Sequence, residues 1–143
     1  MSAPVHVLLV EDEPLTALVT ASALRELPDV DSVTIAVDGA DALDQLRSGA
    51  ISHDRLDILT DLNMPRMTGL ELLDEIDKIP SLRGKPVAVM TTSNDPADRE
   101  AAFAHRVAAY FVKTGRGYLD ALLAWMRNVD GAGLFLAPSP NAA

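Results

Sequence analysis

A chain of 143 residues that is 48% hydrophobic is long and apolar enough for one folded domain, and disorder is not expected. It has no cysteine, which excludes disulfides, thiolate metal sites and a cysteine nucleophile. Its 21 acids against 12 bases leave a net charge of −9, which argues against unaided nucleic-acid binding and suits a divalent cation or a basic partner surface.

Val5-His6-Val7-Leu8-Leu9-Val10 is β-branched and nearly all apolar, and predicts a strand covered on both faces. The run is too short to span a membrane and lacks a signal peptide's basic start and cleavage region, so a cytoplasmic location is the default expectation. Glu11-Asp12-Glu13 ends it, and adjacent carboxylates repel unless a cation or a helix N-terminus relieves them. Pro14 suits the first turn of a helix over Leu15–Leu27, with Ala17, Ala21 and Leu24 inward. Val33–Val37 predicts a second strand, broken by Asp38-Gly39. A short helix with Ala42, Leu43 and Leu46 inward follows and closes at Gly49.

Leu56–Thr60 predicts a third strand that stops at Asp61. Pro65 and Gly69 punctuate the loop after it, and Leu70–Ile79 predicts a helix with Leu72, Leu73, Ile76 and Ile79 at core spacing. Pro86–Thr91 is a fourth strand, followed by the hydroxyl-rich Thr91-Thr92-Ser93-Asn94. Asp95 and Pro96 then start a short helix that ends near His105. Val107–Val112 is a fifth strand, ended by Lys113. After the Gly115-Arg116-Gly117 loop, Leu119, Leu122, Leu123 and Met126 mark a last helix. Leu134-Phe135-Leu136-Ala137 is a further apolar segment, after Gly131 and Gly133.

Strands alternating with helices imply an α/β fold. The expectation is a (βα)5 doubly wound parallel sheet with right-handed crossovers, flavodoxin-like order 2-1-3-4-5 and a short C-terminal extension. Residues 1–128 form the domain and residues 129–143 an arm. In that order the first and third strands are neighbours, which brings Glu11, Asp12 and Asp61 to one sheet edge. Carboxylates there offer only oxygen ligands, the chemistry that Mg²⁺ prefers. An ionised Asp61 can attack a phosphoryl group, while Thr91 offers a hydroxyl and Lys113 a positive charge from the ends of the fourth and fifth strands. Each residue alone has a plainer reading. Asp12 can be a helix cap, Thr91 a strand residue, Tyr110 a core aromatic, and Lys113 a solvated strand end that adds little stability. Their coincidence on one edge favours phosphoryl chemistry.

The motifs Leu9-Val10-Glu11-Asp12-Glu13-Pro14, Asp61-Leu62-Asn63-Met64-Pro65-Arg66-Met67-Thr68-Gly69, Val89-Met90-Thr91-Thr92 and Tyr110-Phe111-Val112-Lys113 together resemble the receiver domain of two-component response regulators. The resemblance covers residues 4 to 128. It implies that Asp61 takes a phosphoryl group from a kinase histidine and that the chain catalyses only its own phosphorylation and dephosphorylation. It implies Mg²⁺ held by Asp12, Asp61 and the backbone carbonyl of Asn63, with Glu11 acting through a water. Thr91, Thr92 and Lys113 would contact the phosphoryl group, Thr91 and Tyr110 would form a switch pair, and Asn63 and Ser93 would tune hydrolysis. The implied partner is a sensor histidine kinase or a phosphotransfer protein.

The chain departs from the family in having Thr114 where a proline commonly follows the lysine. With no output domain after it, it resembles stand-alone receivers. Thr91-Thr92-Ser93, the absent proline and the apolar arm resemble regulators paired with phytochrome kinases. A homodimer is expected, built from Leu134–Ala137 with the fourth helix, fifth strand and fifth helix. Other classes fit less well. A phosphatase of the haloacid dehalogenase type needs a second Asp where Asn63 stands. A nucleotide binder needs a phosphate-cradling loop where Glu11-Asp12-Glu13 would repel phosphate. The complete set of acids, Thr91 and Lys113 argues against a degenerate receiver that only binds.

Overall fold

The computed structural model describes residues 4–114 and 117–128. Five strands alternate with five helices: β1 (Val5–Val10), α1 (Pro14–Arg25), β2 (Val30–Ala36), α2 (Gly39–Ser48), β3 (Leu56–Thr60), α3 (Gly69–Asp77), β4 (Val87–Thr91), α4 (Pro96–Ala104), β5 (Ala109–Val112) and α5 (Gly117–Asn128). The sheet is parallel throughout, in the order β2-β1-β3-β4-β5. This is the predicted (βα)5 architecture.

The period of two along the strands explains their unbroken apolar runs. Leu8 and Val10 enter one core layer, with Ala42 and Leu46 of α2, Leu72 and Ile76 of α3 and Ala102 of α4. Val7 and Leu9 enter the other, with Ala21 and Leu24 of α1 and Leu122 and Met126 of α5. Trp125 is the largest side chain of that second layer, 1% exposed, and meets Phe111 edge-on at 6.2 Å. The helical spacing of Leu119, Leu122 and Met126 pointed to this face without singling out the indole.

Element ends moved where tertiary pairing outweighed local pattern. α1 stops at Arg25, short of the expected Leu27, and β2 starts at Val30, not Val33, because Val30 pairs with Val5. β5 starts at Ala109, after Arg106 turns the chain at φ 64°. α3 ends at Asp77, so Ile79 lies beyond it, half-buried against the core. An unforeseen 3₁₀ turn over Pro80–Leu82 then places Leu82 inside. Among the described residues no helix is long and apolar enough to cross a membrane. Gly115, Arg116 and the 129–143 arm with Leu134–Ala137 lie outside the described residues.

Candidate functional site: an acidic cluster at the carboxyl edge of the sheet

Asp61 follows the last residue of β3, and its backbone N–H donates to the Val10 carbonyl at 3.1 Å, which ties it to the end of β1. The loop after it turns back tightly. The Gly69 N–H donates to the Leu62 carbonyl at 2.8 Å. A Cβ at Gly69 would lie 2.1 Å from the Asp61 carbonyl oxygen, so only glycine permits this return. Thr68 and Glu71 then close a capping box on α3. The Asp61 carboxylate is 7% exposed at the residue level. Its Oδ1 accepts from the Leu62 N–H at 2.7 Å and from the Asn63 N–H at 3.4 Å, and its Oδ2 accepts from Lys113 Nζ at 3.0 Å.

Lys113 departs from the plainer reading of a solvated strand end. Its side chain is 9% exposed, not solvated, and donates to both Glu11 Oε1 at 2.5 Å and Asp61 Oδ2. Burial alone would lower its pKa, but the hydrogen bonds and charges of Glu11 and Asp61 outweigh burial and hold it above the ordinary lysine value. Glu11 is buried, and that burial raises its carboxyl above the usual range despite the pull of Lys113. The next residue, Thr114, donates its N–H to the Val112 carbonyl at 2.8 Å, a bond that proline could not make.

The three acids after β1 divide their work. Glu13 caps α1, accepting from the Leu15 and Thr16 N–H groups at 3.2 and 2.7 Å. Asp12 is therefore not the cap, and its exposed carboxylate remains beside Glu11 and Asp61. One oxygen from each of these three lies within 4.8 Å of the others. Such an all-oxygen set, partly buried and partly open, fits a hard divalent cation. Asn63 is exposed on the adjoining loop.

The groups from β4 and β5 meet at Ser93. Thr91 is fully buried, and its Oγ1 accepts from the Ser93 N–H at 3.2 Å. Tyr110 is also fully buried and donates its hydroxyl to the Ser93 carbonyl at 3.1 Å. Burial raises the Tyr110 pKa. Thr92, predicted beside them, is exposed, and no side-chain hydrogen bond joins it to the cluster among the described residues.

Two contacts here were not foreseen. Arg66 adopts φ 65°, and its Nε and Nη2 both reach Asp38 Oδ2, at 2.6 and 2.5 Å. Met67 packs so closely on Gly39 that a Cβ there would meet Met67 Cγ at 2.9 Å. Together they bind the β3–α3 loop to the β2–α2 loop. Asp38 was visible only as a strand breaker, and no local pattern paired it with Arg66. A cleft of about 440 Å³ lies at the opposite edge, lined by Arg83, Lys85 and Arg106 among others, and is separate from the acidic cluster.

The family model described as the response regulator receiver domain matches residues 7–123. The chain belongs to this family. Similar curated proteins include the probable methanogenesis regulatory protein FilR2 of Methanothrix harundinacea, 35% identical over 113 residues, 77% of this chain and 72% of that one. The response regulator Rcp1 of Synechocystis is 32% identical over 114 residues, 78% of each chain. Among solved structures, the phosphorylated cyanobacterial phytochrome response regulator RcpA aligns with a TM-score of 0.75 at 29% identity, covering 96% of this chain and 99% of that one. The Mn²⁺-bound form of Rcp1 aligns at 0.72 and 28% identity, with the same coverage. The receiver fold and its 2-1-3-4-5 order agree with these neighbours. The phosphatase and nucleotide-binding readings have no support among them.

Proposed function

We propose that this receiver domain is a phosphoacceptor: Asp61 takes a phosphoryl group from a histidine of a sensor kinase or phosphotransfer protein. The observation that carries the reading is the placement of Asp61 between a cation and an acidic cluster, with Lys113 at 3.0 Å and Glu11 and Asp12 beside it. Asp61 Oδ forms the new P–O bond as the donor's P–N bond breaks, and the electron pair of that bond returns to the imidazole. The Leu62 N–H fixes the carboxylate's orientation, and Lys113 meets the charge that the phosphoryl oxygens bring.

Mg²⁺ would be held by Asp12, Asp61 and the backbone carbonyl of Asn63, with Glu11 through a water. It would supply charge neutralisation at the transferring group. Thr91 and Thr92 would contact the phosphoryl oxygens. Thr91 Oγ1 already accepts one hydrogen bond, from Ser93, which leaves its proton to donate. Thr91 and Tyr110 are the switch pair, and Asn63 and Ser93, on the loops that flank the pocket, set the lifetime of the phosphate. The downstream effect runs through protein contacts of α4, β5 and α5 in a cytoplasmic homodimer to which the 129–143 arm contributes. A phytochrome kinase is the narrower partner we favour, on the likeness to Rcp1 and RcpA.

Acetyl phosphate with Mg²⁺ tests the central claim. The parent should gain one base-labile phosphoryl group and Asp61→Asn none. Equal labelling of the two would overturn the assignment. Binding of Mg²⁺, followed by perturbation of amide resonances near the pocket, should weaken at least tenfold in Asp12→Ala, since few protein ligands hold the ion.

A further inference from the structure

The cleft of about 440 Å³ at the sheet's amino edge includes Val87, the first residue of β4. One wall is the turn from the 3₁₀ segment into β4, with Arg83, Gly84 and Lys85. Gly84 adopts φ 80°, and the Arg83 and Lys85 N–H groups donate to the Pro80 and Leu82 carbonyls at 3.2 and 3.1 Å. The other wall is the turn from α4 into β5, with Ala104 and Arg106. Arg106 adopts φ 64°, a left-handed conformation that its β-carbon disfavours. The Ala108 N–H donates to the Val87 carbonyl at 2.7 Å and ties this turn to the start of β4. Buried Ile76, Leu82 and Val87 add apolar lining.

Three of the chain's 12 basic residues thus line one cleft of a molecule whose net charge is −9. Among the described residues, none of the three forms an ion pair. The charge of Lys85 is felt by buried Asp57, without a salt bridge between them. The one acid in the lining, Asp77, pairs with His105 Nδ1 at 2.7 Å. Like charges held together on braced turns repel, and a bound anion relieves that repulsion. We propose that this cleft is a binding site for a small organic phosphate, separate from the phosphoryl chemistry at Asp61. A phosphate group has three oxygens to share among an ammonium and two guanidinium groups, whereas a carboxylate has two. The volume lies within the range of about 300–1,000 Å³ usual for small-molecule sites, and the apolar lining takes the ligand's carbon skeleton. No lining residue is aromatic, so a nucleotide's base would find no ring to stack on, and a phosphorylated sugar or acid fits better.

The test follows amide resonances of the full chain with inorganic pyrophosphate as the probe, at low salt and without divalent cations. Saturable shifts should centre on Gly84, Lys85 and Arg106, with a Kd of about 1 mM or tighter. Arg83→Gln and Arg106→Gln should each weaken binding about tenfold, the loss of one charge-assisted hydrogen bond. Arg106→Gly suits the left-handed turn, so it should fold at least as stably as the parent and still bind about tenfold more weakly. Lys78→Gln removes an exposed lysine outside the cleft that already pairs with Glu75 and Asp74, and should change binding less than about twofold. Asp61→Asn should bind as the parent does, so failure of this site and failure of the phosphoacceptor reading are separable. Citrate, with carboxylates only, should bind at least about fivefold more weakly than pyrophosphate. Shifts that centre on Lys113, equal losses in Lys78→Gln and Arg106→Gln, unaltered binding in the folded arginine variants, or citrate binding as tight as pyrophosphate would each overturn the proposal.

Discussion

Deleting the Lys113 side chain would leave Glu11 and Asp61, both nearly buried, without their shared cation. Removing one partner of a buried pair typically costs about 3–5 kcal/mol, because the remaining charge is stranded. The site is partly open, so Lys113→Ala is expected to cost roughly 2–3 kcal/mol in EDTA by urea unfolding. Much of that should return in millimolar Mg²⁺, which replaces the missing positive charge. A loss below 0.5 kcal/mol in EDTA would return Lys113 to the status of a solvated strand end. Asp57, on β3, raises a separate question. It is 6% exposed, and burial pushes its carboxyl up to about 6 from 3.8, against the opposing charges of Arg55 and Lys85. The fold favours its protonated form. That contribution is fully present below pH 3.8 and is lost as pH rises through 6. Asp57→Asn keeps the shape of the neutral acid, so at pH 8 it should be more stable than the parent by up to about 3 kcal/mol, and at pH 3.5 by almost nothing. An advantage that is equal at both pH values would place the cause elsewhere.

The loop after β3 shows how an element can depend on one atom that is absent. Gly69→Ala puts a methyl 2.1 Å from the Asp61 carbonyl oxygen and 2.7 Å from Leu62 Cα, both backbone atoms that cannot swing aside. The loop must open, which should cost more than about 2 kcal/mol and displace Asp61. A matched drop in urea midpoint and in acetyl phosphate labelling is the expected result. Full labelling at reduced stability would show that the loop and the acceptor move independently. The sequence marked Gly69 only as a turn residue, since local pattern cannot reveal what lies across the turn. Helix faces were legible for the opposite reason. Ala17, Ala21 and Leu24 recur at helical spacing and are buried as predicted. Strand starts were less legible, because Val30 is held by Val5, a partner fixed only by the assembled sheet.

Across the whole molecule, the 2-1-3-4-5 order was readable from the alternation of strands and helices and from the resemblance. That order alone brings Glu11, Asp12 and Asp61 together. What the order could not supply was the partner of each group: that Glu13 caps α1, that Lys113 is enclosed, and that Ser93 binds both Thr91 and Tyr110. These follow from side-chain packing between distant segments. The proposed homodimer belongs to this scale as well. Light scattering of the full chain against a chain ending at Asn128 should give a dimer for the first and a monomer for the second at micromolar concentration. Equal behaviour of the two would remove the arm from the interface.

The ion pair between Lys113 and Glu11 joins residues 102 positions apart, with Lys113 placed by the edge strand β5. During protein synthesis the acidic loop leaves the ribosome long before its counter-charge exists. Until β5 docks beside β4, Glu11 and Asp61 lie together with no lysine between them. If Asp61 is the phosphoacceptor proposed above, a nascent chain, or one cut short before β5, is expected to resist the incoming anion. Competence to take a phosphoryl group is then expected only with the completed sheet.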